Sequence, residues 1–289
     1  MKFKSIFLSL FIPLGIFAQD IKNNPNSNHG NMFEQLGTIL PTPNVYRTAS
    51  GAPGQGYWQN RADYEITAYL DEDKRNLRGS ETVTYYNNSP DDLDYLWLQL
   101  DENQQSTEKN AGYHDSSFIP KQTTTDRLKV TDLPEKNNGY GVNLEKVTDA
   151  SGKPLKYVVN KTMMRIDLPK VLKKGEKFVF KIDWNYNIPN RMTMGGRGGY
   201  EFFPEDGNDL YTITQWFPRM CVYSDFKGWQ NNQFTGRGEF ALAFGDYKVT
   251  MNVPADHIVA STGVGKNFEQ VLTPAQLQRW KQAQTANEP

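Results

Sequence analysis

At 289 residues the chain is long enough for one large domain or two small ones with a sizeable core. Its formal net charge is -1 and aromatic residues make up 13% of it. A nucleic-acid or anionic-membrane binder usually carries an excess of basic residues, so the charge argues against both classes. Aromatic residues favour strands and the Gly, Pro and Asn residues between them favour turns, so the composition indicates an all-β protein.

The first residues, "MKFKSIFLSLFIPLGIFAQD", have the pattern of an export signal. Lys2 and Lys4 precede an apolar run, and Ala18 is a small residue at the end of that run. The run is shorter than the roughly 20 apolar residues of a spanning helix. We therefore predict a signal peptide over residues 1–18, no stable membrane span, and a periplasmic or extracellular location. Residues 19–57, rich in Asn, Pro and Gly, are predicted to be a disordered leader or linker.

Period-two alternation predicts the first strands of a domain over residues 58–289. In "DYEITAYL" the residues Tyr64, Ile66, Ala68 and Leu70 alternate with more polar ones. The same pattern recurs in "DYLWLQL" and in "FVFKIDW", where every second residue is apolar. Each of these segments is expected to be a strand with one buried face.

Turn residues predict how the later strands are connected. The residues from Asp149 to Gly152 are expected to form the turn of a hairpin, and the lysines around Gly175 a solvated hairpin tip. Two further strands are predicted in "GEFALAFGDYKVTMNVP" and "HIVASTG". The single predicted helix is C-terminal, with Thr273 as its N-cap and Pro274 in the first turn.

The chain shows no self-contained catalytic or metal-binding motif. Its three histidines, His29, His114 and His257, do not have the H-E-x-x-H spacing that places two ligands on one helix face. Cys221 is the only cysteine and has apolar neighbours, so it is expected to be a buried small hydrophobe. We therefore predict no catalytic residue, no metal ligand and no cofactor within this chain.

Two long segments carry a resemblance to a known family. They are "YWQNRADYEITAYLDEDKRNLRGSETVTYYNNSPDDLDYLWLQLDEN" and "TITQWFPRMCVYSDFKGWQNNQFTGRGEFALAFGDYKVTMNVPADHIVASTG". Taken in order, they resemble the N-terminal β-domain of the gluzincin zinc aminopeptidases related to membrane alanyl aminopeptidase, in particular its exported bacterial branch. The resemblance implies a large twisted, saddle-like β-sandwich of antiparallel or mixed sheets with one short C-terminal helix. It also implies that residues 58–289 are this β-domain, truncated at its C-terminal end.

The resemblance implies a function that depends on a further domain. The complete enzymes release N-terminal amino acids from peptides, and a downstream catalytic domain holds the zinc ion through H-E-x-x-H. The expected partners of this chain are accordingly a peptide substrate and that zinc domain. The chain alone is expected to be an inactive substrate-cleft domain.

The resemblance also names candidate substrate-binding residues. Thr214-Gln215 and Phe217-Pro218 match the family segment that borders the substrate. Gln215 is the candidate contact, and Trp216 and Phe217 are candidates for shaping the site. Phe217 stands where the family often has Gln or Glu, so Gln215 has an alternative role as an ordinary strand residue. Arg219 and Asp225 are expected to form a structural pair.

Two other functions fit the sequence. One is a secreted β-sandwich that binds a sugar or peptide through Trp216 and Trp229. The other is an adaptor that docks an exposed β-face onto a partner. Binding in the absence of zinc distinguishes the first of these from an aminopeptidase domain.

Overall fold

A computed structural model of the chain describes residues 43–109, 122, 124–125, 139–235 and 242–286. The chain divides into two compact units whose boundary lies between Tyr57 and Trp58. The predicted signal peptide, residues 1–18, and most of the predicted leader, residues 19–57, lie outside the described residues. In the described part of the first unit, the Asn44 side chain accepts hydrogen bonds from two backbone N–H groups and closes a turn.

The second unit consists mainly of β-strands, which confirms the predicted all-β class. In chain order the strands are β1 (Arg61–Asp71), β2 (Asn76–Tyr86), β3 (Leu93–Gln99), β4 (Asn143–Asp149), β5 (Tyr157–Asn160), β6 (Met163–Leu172), β7 (Lys177–Asn187), β8 (Gly199–Phe203), β9 (Asn208–Thr212), β10 (Arg219–Met220), β11 (Tyr223–Ser224), β12 (Gly228–Trp229) and β13 (Tyr247–Asn252). One sheet has five strands in the order β13-β1-β2-β7-β4, and a second has four in the order β10-β3-β6-β5. The remaining four strands form two separate pairs, β8-β9 and β11-β12.

The buried faces of the two large sheets contribute to one hydrophobic core. The predicted alternation is confirmed in β1 and β7, where every second side chain is turned inward. The four-stranded sheet adds the leucines of β3 and the methionines at the start of β6. Because one core includes residues of both sheets, the sheets pack face to face as a sandwich.

The turn at Asp149 closes a short hairpin, as predicted, in which the backbone N–H of Leu155 donates to the carbonyl of Val147. This turn and the lysine-rich turn around Gly175 also connect the two large sheets. The Asp149 side chain accepts hydrogen bonds from two backbone N–H groups of its turn. Strand β4 before this turn pairs with β7, whereas β5 after it pairs with β6. The lysine-rich turn around Gly175 likewise leads from β6 in one sheet to β7 in the other. Turn residues mark where the chain reverses, but they do not determine which strands then pair.

The C-terminal part of the unit contains one strand of the two that were predicted. β13 lies parallel to β1, with Tyr64 opposite Tyr247 and Tyr69 opposite Asn252. The predicted strand "HIVASTG" is wrong, because residues 257–263 form bends and irregular backbone. This segment has few neighbours to bury its apolar residues, and Ile258 is 75% exposed.

The predicted C-terminal helix is confirmed. The described helices are a 3-10 helix (Asp101–Gln105), α1 (Arg191–Met194), α2 (Phe268–Val271) and α3 (Pro274–Ala283). At the start of α3, Thr273 and Gln276 form a capping box. Within the described ranges, every helix is too short or too polar to cross a membrane.

Candidate substrate-facing segment

The segment 213–218, which contains the candidate residues, links two parts of the structure. On its N-terminal side β9 pairs with β8, with Tyr211 opposite Tyr200. On its C-terminal side β10 pairs with β3, with Arg219 opposite Gln99. The segment itself lies outside every strand, so its conformation depends on the packing of its side chains.

Gln215 has an unusual backbone conformation. Its φ is 54°, in the left-handed region that non-glycine residues adopt only at a cost. Arg75 and Lys161 share this conformation, but they lie in the turns of the β1-β2 and β5-β6 hairpins, where it is common. Gln215 lies in no hairpin turn. Its partly exposed side chain makes no hydrogen bond to the described part of the chain.

Trp216 and Phe217 pack inward and hold this conformation in place. The Trp216 ring lies 5.8 Å from the ring of Trp184 in β7 and 5.0 Å from that of Phe217. The Phe217 ring in turn meets the Tyr64 ring of β1 edge-on at 5.5 Å. Both residues are only partly exposed and pack against the core. The structure therefore gives them a packing role, while their contact with a substrate stays a prediction.

Tyr64 connects the segment to two strands beneath it. Its hydroxyl oxygen accepts a hydrogen bond from the backbone N–H of Met220 in β10 at 2.9 Å. Its ring stacks on that of Tyr247 in β13, with centroids 4.8 Å apart. Because Tyr64 also contacts Phe217, one buried side chain on β1 fixes the position of β10, β13 and the candidate segment.

Glu81 is an acidic side chain in the core near Tyr64. It lies at the centre of β2, between Ile66 of β1 and Ile182 of β7, and only 1% of it is exposed. Neither carboxyl oxygen has a hydrogen-bond partner within the described residues. Burial raises the pKa of Glu81 well above its usual range, so the group is held in the protonated form.

Glu81→Gln is expected to stabilise the protein at neutral pH but not at pH 4. In the unfolded chain Glu81 ionises near pH 4.3, so folding at higher pH requires it to take up a proton. This proton uptake lowers the free energy of unfolding as the pH rises above the pKa of Glu81 in the unfolded chain. Glutamine cannot ionise, so the variant avoids this loss. The expected gain at pH 7 is about 1 kcal/mol or more, measured by urea unfolding. Glu65→Gln, on the exposed face of β1, is the control and should show no such pH dependence. An equal effect of Glu81→Gln at both pH values would contradict a protonated Glu81.

Arg219 forms a buried ion pair, although not the predicted one. We expected a pair with Asp225, but Arg219 Nη2 donates to the carboxylate of Asp101 and, at 3.3 Å, to the amide oxygen of Gln99. Asp225 lies in the turn between β11 and β12. Burial raises the pKa of Asp101, and the Arg219 charge partly offsets this effect. The ion pair joins β10 to the 3-10 helix that follows β3.

Cys221 is a buried small hydrophobe, as predicted. Its side chain is fully buried, and its sulfur lies 3.9 Å from the sulfur of Met163. Burial raises the pKa of the thiol to about 12, so very little thiolate is present at neutral pH. This environment is unsuitable for a catalytic nucleophile.

Trp229 is not available as an open binding platform. The residue is 9% exposed, and its ring packs against that of Tyr85 at 6.0 Å and that of Tyr223 at 5.1 Å. Trp216 is also engaged in packing. The two tryptophans therefore do not present the exposed faces that the sugar-binding alternative requires.

No protein-family model and no curated protein matches the sequence. Solved structures with some similarity include the M1 zinc metallopeptidase from Deinococcus radiodurans, at 14% identity and a TM-score of 0.35 over 74% of this chain and 38% of that one. A mutant of that enzyme bound to a Tyr-Ser-Ala substrate gives 13% identity and a TM-score of 0.37, over 75% of this chain and 38% of that one. A two-domain M1 zinc metallopeptidase mutant bound to L-tryptophan gives 13% identity and a TM-score of 0.35, over 75% of this chain and 39% of that one. The chain thus spans about two fifths of the length of these proteins.

Proposed function

We propose that residues 58–289 are the non-catalytic, substrate-facing N-terminal β-domain of an exported zinc aminopeptidase. The complete enzyme would release N-terminal amino acids from peptides. The observation that carries the proposal is Gln215, a strained residue whose partly exposed amide makes no hydrogen bond to the residues that the structure describes. Strained conformations of this kind concentrate at functional sites. The ordered sequence segments that resemble the family's β-domain support the same assignment.

The amide of Gln215 suits the recognition of a peptide N-terminus. Its oxygen can accept a hydrogen bond from the substrate ammonium group, and its nitrogen can donate one to a carbonyl. The anchored rings of Trp216 and Phe217 fix the backbone that follows Gln215, which lowers the backbone entropy lost on binding.

The zinc chemistry would belong to another domain of the complete enzyme. The sequence contains no H-E-x-x-H, so these residues do not fit the family's catalytic zinc site. In the complete enzyme the metal would lower the pKa of a bound water. The role left to this chain is to bind and orient the peptide.

Two experiments test the proposed function. The purified chain should not cleave aminoacyl-nitroanilides, with or without added zinc. Cleavage by this chain that a chelator abolishes would overturn the proposal. The reading frame of the gene beyond the codon for Pro289 should encode H-E-x-x-H, and a gene without that motif would contradict the assignment.

Gln215→Gly separates backbone strain from substrate contact. Glycine adopts the left-handed conformation freely, so we expect the variant to unfold at higher urea, with a gain of about 1 kcal/mol. In the complete enzyme the same variant should lower kcat/KM by about 10-fold or more, the value of one charge-assisted hydrogen bond.

Lys161→Gly is the matched control for Gln215→Gly. It relieves the same backbone conformation in the β5-β6 turn and should leave kcat/KM unchanged. Unchanged kcat/KM in Gln215→Gly would show that the amide does not touch the substrate.

A further inference from the structure

The parallel pairing of β1 and β13 places their C-terminal ends side by side. The last residues in register are Tyr69 and Asn252. Glu72 follows three residues after the first of these, and Asp256 and His257 follow shortly after the second. Residues that are far apart in sequence are thus gathered at one end of the sheet.

The side chains of Glu72, Asp256 and His257 converge there. Each offers one ligand atom, and these atoms all lie within 4.8 Å of one another. Oxygen and nitrogen ligands of zinc lie about 2.0–2.2 Å from the ion, so the ligand atoms of one tetrahedral site are about 3.4 Å from one another. The three side chains must therefore move closer together to bind one ion, and the exposed side chain of Asp256 is free to rotate toward the other two.

His257 is held in position by its surroundings. Its side chain is 18% exposed, and its ring centroid lies 6.0 Å from that of Tyr211 in β9. Its Nδ1 is 3.1 Å from the carboxylate of Asp256, and its backbone N–H donates to the carbonyl of Pro254. A largely buried imidazole with a fixed orientation loses little entropy on binding a metal ion.

The charges at this end of the sheet favour a cation. Arg75 is paired with Asp209 at 2.9 Å, and Lys74 with Asp71 at 2.7 Å. Among the described residues, Glu72 has no ion pair and Asp256 has only the one with His257. Two carboxylates therefore face an imidazole without an arginine or lysine to balance them.

We propose that Glu72, Asp256 and His257 form a binding site for a divalent transition-metal ion, with zinc as the best match. One imidazole nitrogen with two carboxylate oxygens is a ligand set that zinc accepts, and it leaves a coordination position for water. The ion would link the β1-β2 turn to the end of β13. The sequence pattern predicted no metal ligand, because the long separation between Glu72 and His257 matches no motif and the parallel pairing of β13 has no local sequence signal.

Zinc titration of the purified chain tests this site. After removal of bound metals with a chelator, isothermal calorimetry with zinc chloride should show one zinc bound at this site and a rise in the melting temperature. His257→Ala and Glu72→Gln should each weaken that binding by at least about 10-fold. Cobalt(II) should give a visible absorption band that both variants lose.

Asp73→Asn is the matched control. It removes one exposed carboxylate from the same turn without touching the three ligands, so its zinc affinity should equal that of the wild type. Circular dichroism checks that each variant is folded. If His257→Ala does not fold, Glu72→Gln still tests the site, because Glu72 lies on a surface turn. The proposal is overturned if the wild type binds no zinc, or if zinc binding survives in the folded variants.

Discussion

Arg219→Leu is expected to lower the free energy of unfolding by about 3–5 kcal/mol, because it leaves the buried carboxylate of Asp101 without its counter-charge. The Arg219 side chain is 10% exposed and that of Asp101 is 1% exposed, so water cannot replace the lost partner. One Asp101 oxygen already lacks a hydrogen bond to any described residue. Urea unfolding followed by tryptophan fluorescence measures the loss.

The destabilisation should depend on pH. Burial raises the pKa of Asp101 in the folded state, and removing Arg219 raises it further. The unfolded chain releases this proton at the same pH in both proteins, so the deficit of the variant grows as the pH rises through the raised pKa that Asp101 has in the folded wild type. A loss of the same size at pH 4 and pH 7 would argue against an ionic contribution.

Two further variants complete this test. Asp101→Leu combined with Arg219→Leu should recover much of the stability, because an apolar pair avoids the burial of one unpaired charge. Arg165→Leu removes an exposed arginine that pairs with Asp167, and it should have little effect.

Trp184→Ala is expected to destabilise the protein by about 3–5 kcal/mol by opening a cavity between the sheets. The side chain of Trp184 is fully buried and stacks on Tyr186 at 5.9 Å. It also supports Trp216, so the candidate segment should loosen in the variant. Urea unfolding gives the change in stability, and limited proteolysis within residues 213–218 reports the loosening.

Gly79 provides a second test of the same packing. A Cβ at Gly79 would come within 2.2 Å of Cζ2 of Trp184, directly opposite on β7. Gly79→Ala should therefore cost about 1–3 kcal/mol in the wild type and clearly less in Trp184→Ala. Thr82→Ala on the other face of β2 is the control, with an effect within about 0.5 kcal/mol. Additive effects of Gly79→Ala and Trp184→Ala would show that the two residues do not share this space.

Local patterns were sufficient to predict the strands that bury one face. The alternation of apolar residues in β1 and β7 depends only on the two-residue period of a strand, so a short window of sequence contains it. The pattern that predicted Thr273 as the N-cap of α3 is equally local. These predictions agree with the structure because no distant residue affects them.

Features that depend on distant residues could not be predicted in this way. The partner of Arg219 is Asp101, 118 residues away in sequence, while the expected partner Asp225 was simply nearby. The left-handed conformation of Gln215 has no signature, because glycine or asparagine usually occupies such a position. The sequence could likewise identify Trp216 and Phe217 as important, but not distinguish packing from ligand contact.

The pairing of β1 with β13 determines when the five-stranded sheet can be completed during synthesis. The backbone N–H of Asp246 donates a hydrogen bond to the side-chain carboxylate of Asp63, 183 residues away in sequence, and all six residues of β13 are exposed. Such late, long-range pairing is slow and gains little from burial. As the polypeptide emerges, the outer edge of β1 stays uncovered until β13 has been made, and a chaperone that delays folding until then would protect it from aggregation.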